Sequence, residues 1–143
     1  MQIKNKQQII ENATTEITRK ARTLALNALE LALNSADAEK LTKAKVSFEN
    51  SILIADGYSF DLRKLRNVYV VGGGKAGGSM AEVLEEILGE RITDGIVNVP
   101  HGDSHQTSII KLNSSGHPVP DEAGVAGTRM FVPKLVCEVS YAS

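Results

Sequence analysis

A chain of 143 residues, 42% apolar and 23% charged, is long enough to bury one core and reads as a globular domain. Sixteen basic residues against seventeen acidic ones, with 4% aromatics and no Trp, give neither the footprint nor the stacking platforms of a nucleic-acid binder. No run of about 18 apolar residues offers a membrane span, Met1–Gln8 lacks the apolar core of a signal peptide, and the single Cys137 has no disulfide partner, so the expectation is a cytoplasmic protein.

From the amino end, Ile10, Ala13, Ile17, Ala21, Leu24, Ala28 and Leu31 recur at spacings of three and four. This predicts one long helix over 4–34, whose apolar stripe packs on its own sheet or binds a partner. Asn34 fits its C-terminal cap, and Asp37 fits the N-cap of a short helix over 37–45. Residues 51–62 read as an extended pair, because Asp56-Gly57 between two apolar runs is a hairpin signal. The basic cluster Arg63, Lys64 and Arg66 either touches a phosphate or forms a solvated turn.

Val68-Tyr69-Val70-Val71 is β-branched or aromatic throughout, as a buried strand requires. Five glycines and Lys75 fill the next seven residues. Met80, Val83, Leu84, Ile87 and Leu88 then mark one face of a helix that stops at Gly89. Ile96-Val97-Asn98-Val99 is a second strand, spaced from the first as in a right-handed βαβ unit with parallel strands. The loop Pro100–Gln106 follows at the strand's carboxyl end, where open α/β sheets bind ligands. Ile109–Leu112 predicts a third strand. Ser114–Glu122 is a loop fixed by two prolines, and Asp121 is placed to cap a helix over about 122–132.

Strand, glycine loop and helix together make an anion cradle. Glycine admits positive φ and close approach, and a helix start offers unpaired N–H groups with partial positive charge. Gly72-x-Gly74-x-x-Gly77 meets the dinucleotide pattern. However, that pattern calls for no lysine in the loop, and the acid expected at the end of the second strand is missing, with Asp103 coming late. A phosphate loop of the Walker type fits no better, because Tyr69 stands where its first glycine belongs and Ala76 follows Lys75. His101-x-Asp103-x-His105 has ligand-type residues but not a closed metal site, and no metal ligand is assigned. His117 and Asp121 either form a rigid turn with an N-cap or face the glycine loop across the carboxyl edge of the sheet.

Val-Val-Gly-Gly-Gly-Lys-Ala-Gly-Gly-Ser-Met-Ala (70–81) together with Gly-His-Pro-Val-Pro-Asp-Glu (116–122) resembles the glycerate 2-kinase family, the type that carries a MOFRL motif in its C-terminal part and is also labelled hydroxypyruvate reductase. The likeness covers roughly residues 15–130 and concerns the N-terminal domain alone. It implies a Rossmann-like three-layer α/β/α fold with a mostly parallel sheet and a long N-terminal helix. It also implies transfer of phosphate from ATP to the 2-hydroxyl of D-glycerate with Mg²⁺. Lys75 carries over as the active-site lysine. Gly72, Gly73, Gly74, Ala76, Gly77, His117 and Asp121 carry over as phosphate- or substrate-binding positions.

Members of the family are far longer, and their second domain adds a glycine-rich segment and an arginine to the cleft. Beyond Met130 the chain departs from the family, with Pro133 where a helix would continue. The expected organisation is therefore a domain over 1–130 and a divergent tail over 131–143, as in a truncated or frame-shifted product. Half a cleft exposes apolar surface that a homodimer would cover. Two other functions fit parts of the pattern: an NAD(P)-dependent hydroxypyruvate reductase, and a non-catalytic nucleotide-binding module.

Overall fold

The structure, a computed structural model, describes residues 3–139, with side chains through residue 132. It divides into two compact units, Met1–Leu41 and Thr42–Ser143. In the first unit the apolar period does not produce one helix. It breaks into α1 (Lys6–Glu11) and α2 (Glu16–Ser35). Thr15 takes an extended backbone, its Oγ1 accepts the Thr18 N–H at 3.2 Å, and Thr18 Oγ1 accepts the Thr15 N–H at 3.1 Å. This reciprocal cap satisfies first-turn donors that a break at Thr15 would otherwise leave open. The chain folds back, Lys6 and the Ile3 N–H both reach the Glu30 carboxylate, and the Arg22 guanidinium donates to Ile9 O at 2.7 Å. α2 packs on α1, and Leu26 is its buried residue. Ala36, not Asn34, is the C-cap of α2.

Helix α3 (Ala38–Lys45) starts where expected, with Asp37 Oδ1 accepting the Lys40 N–H at 3.3 Å. The second unit then opens with an antiparallel meander, β1 (Val46–Glu49), β2 (Ile52–Ala55) and β3 (Tyr58–Asp61), in that spatial order. The expected pair is β2–β3, joined by Asp56 and Gly57 at φ 45° and 86°. Strand β1 is an addition, joined to β2 by Asn50 and Ser51, also in the left-handed region at 51° and 66°. Two positive-φ residues give a turn whose twist matches that of the strands. Arg63 is committed to Asp61, Nε to Oδ1 at 2.8 Å, and with Lys64 it lies in a 3-10 turn over Leu62–Lys64, while Arg66 follows in a bend beyond it.

Three parallel strands follow: β4 (Tyr69–Gly73), β5 (Asp94–Pro100) and β6 (Ile110–Ser115), in the order β4-β5-β6. Their register pairs Gly73 with Asn98 and Asn98 with Asn113. Helix α4 (Gly77–Leu88) crosses from β4 to β5 on one face. Helix α5 (Glu122–Val139) packs on β5 and β6, with Gly127 over Asn98 and Asn113 on the other face. The second unit is therefore a three-layer α/β/α arrangement. The core on the α4 face joins Ala81, Leu88, Ile92, Val97, Val99 and Ile110 to Leu62, with Phe48 and Leu53 of the meander packed against it. Ala81 takes the inward position expected of Met80, because small residues let α4 approach β5 closely. A Cβ on Gly77 would stand 2.8 Å from Val97 Cγ1.

Helix α5 runs past Pro133 to Val139, beyond the expected stop near 132. A proline removes one helical hydrogen bond, and the turns before it are anchored on the sheet. Phe131, placed by sequence beyond the domain, is buried and meets Tyr69 edge to face at 5.5 Å. Among the described residues no helix is long and apolar enough to cross a membrane.

Candidate active site at the carboxyl edge of the parallel sheet

The glycine loop leaves β4 at Gly73 and enters α4 at Gly77. Gly74 sits at φ 114°, which an L side chain resists, and its N–H donates to Asn98 O at 2.9 Å. The Gly77 N–H closes the turn on Gly74 O at 2.9 Å. No side chain caps α4 at Ala76, so the helix start keeps backbone donors for an anion.

Two cavities meet at this loop. One, of about 350 Å³, is lined by Gly74, Asn98, Ser115, Gly116, His117 and Thr128 among others. It brings the glycine loop and the His117 loop together, as the sequence suggests. The other, of about 430 Å³, holds Gly72, Gly73, Lys75, Ala76 and Gly77 beside Val71, Met80 and Leu84. Gly74 borders both. Lys75 and His117 thus flank the same glycine from different cavities.

Asp121 lines neither cavity, contrary to the expectation that it faces the glycine loop. Its carboxylate accepts the amides of Gly116 and Gly124, the latter at 2.9 Å, and Oδ2 lies 3.0 Å from His101 Nε2. These amides, followed by His101, lower its pKa to about 2. Asp121 therefore caps α5, as its position predicts, and also ties the His117 loop to the helix. His101 Nδ1 lies 2.9 Å from Ser114 Oγ. The His117–Pro118 peptide is cis.

The residues of His101-x-Asp103-x-His105 separate. Asp103 Oδ1 accepts the His105 N–H at 3.0 Å and lies 2.9 Å from His105 Nδ1. This pair packs on the first turn of α4, where a Cβ on Gly78 would stand 2.6 Å from Asp103 Oδ1. A carboxylate near a helix start is favourable there. The rest of the loop is strapped to α4. Glu82 accepts the Gln106 N–H at 2.7 Å, and Glu85 accepts those of Ser108, Ile109 and Ile110 at 2.5, 3.0 and 3.0 Å. Burial opposes ionisation of Glu85, but the amides of Ile110, Ser108 and Ile109 outweigh it and leave the pKa below its usual value.

Among the described residues no three His, Cys, Asp or Glu side chains form a metal-binding group. The carboxylates nearest the cleft, Asp103 and Asp121, are spent on amides and histidines. The donor set therefore does not fit a Mg²⁺ site built by these residues. The loop suits a phosphate better, since glycine leaves it open and a Cβ at Gly74 would meet nothing within 4 Å.

Asn98, Asn113, Ser115 and Thr128 belong to the site's surroundings and have no motif of their own. The signal present for Asn98 is a polar residue inside the apolar run Ile96–Val99, which a buried strand does not carry without partners.

Against known proteins, residues 24–140 match a family described as a domain of unknown function, DUF4147. The chain belongs to this family, the N-terminal domain of MOFRL-associated glycerate kinases. It is 30% identical over 108 residues to the glycerate 2-kinase of Pyrococcus horikoshii, covering 76% of this chain and 24% of that protein. Over 66 residues it is 38% identical to the D-glycerate 2-kinase of Thermotoga maritima, covering 46% of this chain and 16% of that one. In structure it is similar to the PH0495 protein of Pyrococcus horikoshii OT3, with a TM-score of 0.64 and 29% identity over 76% of this chain and 24% of that chain. The DUF4147 chain described here thus spans about a quarter or less of the length of these relatives.

Proposed function

We propose that this DUF4147 chain supplies the glycine-loop part of a site for ATP-dependent phosphorylation of D-glycerate at the 2-hydroxyl. The observation that carries the reading is Gly74, which borders both the cavity shared with His117 and the one beside Lys75. Phosphoryl transfer asks little covalent chemistry of a protein and depends on positioning and charge stabilisation. In this reading the amide of Gly73 and the uncapped start of α4 hold a phosphate of the nucleotide, the Gly74 N–H being engaged by Asn98 O. Lys75 offsets charge on the transferring group. His117 borders the pocket that receives the hydroxy acid. Mg²⁺ would enter with the nucleotide phosphates, whose charge it would neutralise, and no side chain of this chain is assigned to it.

The reductase reading loses ground because Asp103, the nearest acid to the end of β5, is engaged by His105 and is not free for a ribose. Titration of the chain with ATP and Mg²⁺ tests the kinase reading, alongside NADH and with D-glycerate turnover followed by phosphorus NMR. Binding of MgATP that Lys75→Ala weakens about tenfold or more is expected from losing one charged partner. NADH binding in its place, or MgATP affinity unchanged in Lys75→Ala, would overturn it.

A further inference from the structure

We infer that Asn98 is the positioning residue that couples the glycine loop to the His117 loop, through the first turns of α5. The inference rests on the phosphoryl-transfer reading for its purpose, and on hydrogen bonds for its mechanism.

Asn98 lies in the central strand of the parallel sheet, between Gly73 on one side and Asn113 on the other. Its backbone oxygen accepts the Gly74 N–H at 2.9 Å, at the turn where the glycine loop leaves β4. Its side chain does different work. Nδ2 donates to Gly124 O at 3.0 Å and reaches Thr128 Oγ1 at 3.4 Å, both on α5. Oδ1 accepts from Asn113 Nδ2 at 2.8 Å, and the same nitrogen donates to Ala123 O at 2.9 Å. Both donors of each amide are therefore used, which leaves little freedom to rotate or flip. Gly127 makes the arrangement fit. A Cβ there would overlap Asn98 Oδ1 and stand 2.5 Å from Asn113 Nδ2.

The path continues to the other side of the cavity. The Gly124 N–H donates to Asp121 Oδ1, and the Gly116 amide donates to the same carboxylate. The bonds run Gly74, Asn98, Gly124, Asp121, Gly116, and His117 is the next residue. Gly74, Asn98, Gly116, His117, Gly124 and Thr128 all line the 350 Å³ cavity. One asparagine thus holds its two walls at a fixed separation, which matters to a reaction sensitive to displacements of about 1 Å. Aspartate would lose both donors and add a charge. Leucine would leave the Asn113 amide short of an acceptor beneath α5.

The test is amide exchange by NMR on the full chain, with Asn98→Ala and Asn113→Ala. The acceptor of the Gly74 N–H is a backbone atom that survives in Asn98→Ala, so mere loss of a side chain does not expose this amide. Coupling predicts about tenfold faster exchange at Gly74, Gly124 and Gly116 together, with the β2–β3 hairpin amides unchanged. Asn113→Ala is expected to act in the same direction with smaller effect, and it serves if Asn98→Ala does not fold. Faster exchange at Gly124 with Gly74 unaltered would overturn the coupling. MgATP affinity, measured on the same samples, separates the two claims. Coupled exchange without any MgATP binding would sustain the role of Asn98 and remove the kinase reading.

Discussion

Asp121 bonds backbone amides on both sides of a loop that carries two prolines, and Gly116 makes this possible. A Cβ on Gly116 would overlap Val119 O and stand 3.1 Å from Asp121 Cγ. Ionised Asp121 is therefore part of the loop's structure, and its titration is felt by the fold. Its folded pKa, about 2, lies below the usual 3.8. The unfolded chain therefore takes up the proton first as pH falls. The stabilising contribution is complete above about pH 4 and is lost as pH drops toward 2. Asp61, held at about 2 by Arg63, titrates in the same window, so the informative quantity is a difference between variants. Asp121→Asn is expected to flatten the acid limb of the stability profile between pH 4 and pH 2. Denaturant unfolding at stepped pH checks this, and an acid limb parallel to the parent's would mean that the carboxylate does not act through its charge.

At the scale of elements, the two tight turns of the meander differ in composition and share one backbone solution. Gly57, at φ 86°, has nothing within 4 Å of where its Cβ would be, so a substitution there meets conformational strain and no clash. Gly57→Ala is expected to destabilise the protein by about 1 kcal/mol, the penalty of an L residue in the left-handed region. Urea unfolding measures it, and a loss above roughly 3 kcal/mol would point to a contact that the open space at Gly57 does not provide. This turn was legible because Asp-Gly announces it. The turn at Asn50-Ser51 was not, because no glycine marks it and the strand before it, Val46–Glu49, is only four residues long. The break between α1 and α2 stayed hidden for another reason. Ile10, Ala13 and Ile17 keep helical spacing straight across it, and the deciding interaction is the reciprocal Thr15–Thr18 cap. Strands β4 and β5 were plain from their β-branched runs, as was the glycine loop from its composition. Strand β6, however, continues through Ser114 and Ser115, which read as loop because they are polar and gain strand structure only by pairing with Val99 and Pro100. Asn98 was not plain either, because an amide in a strand acquires its role only once α5 has docked above it.

For the second unit as a whole, the two large side chains buried most completely are Leu62 and Ile110, each about 1% exposed. They come from different parts of the unit. Leu62 opens the 3-10 turn directly after β3, and Ile110 begins β6. Both belong to the cluster that includes Ala81, Leu88, Val97 and Val99. Arg91 adds a polar link, its guanidinium donating to Leu62 O and Leu65 O at 2.6 Å each. The meander and the parallel sheet thus share one core, although no strand pairs between them. A shared core should unfold as one. Leu62→Ala and Ile110→Ala are each expected to destabilise by about 2–5 kcal/mol, the usual range for emptying such a site. Each should lower protection in both sheets alike, because the cavity weakens a common cluster. Hydrogen exchange resolved by residue is the measurement. Loss of protection confined to β1–β3 in Leu62→Ala, with β4–β6 unchanged, would show that the meander is a separate cooperative unit. The glycine loop, which leaves β4 and leans on Asn98 of β5, would then owe its placement to the parallel sheet and α5 alone.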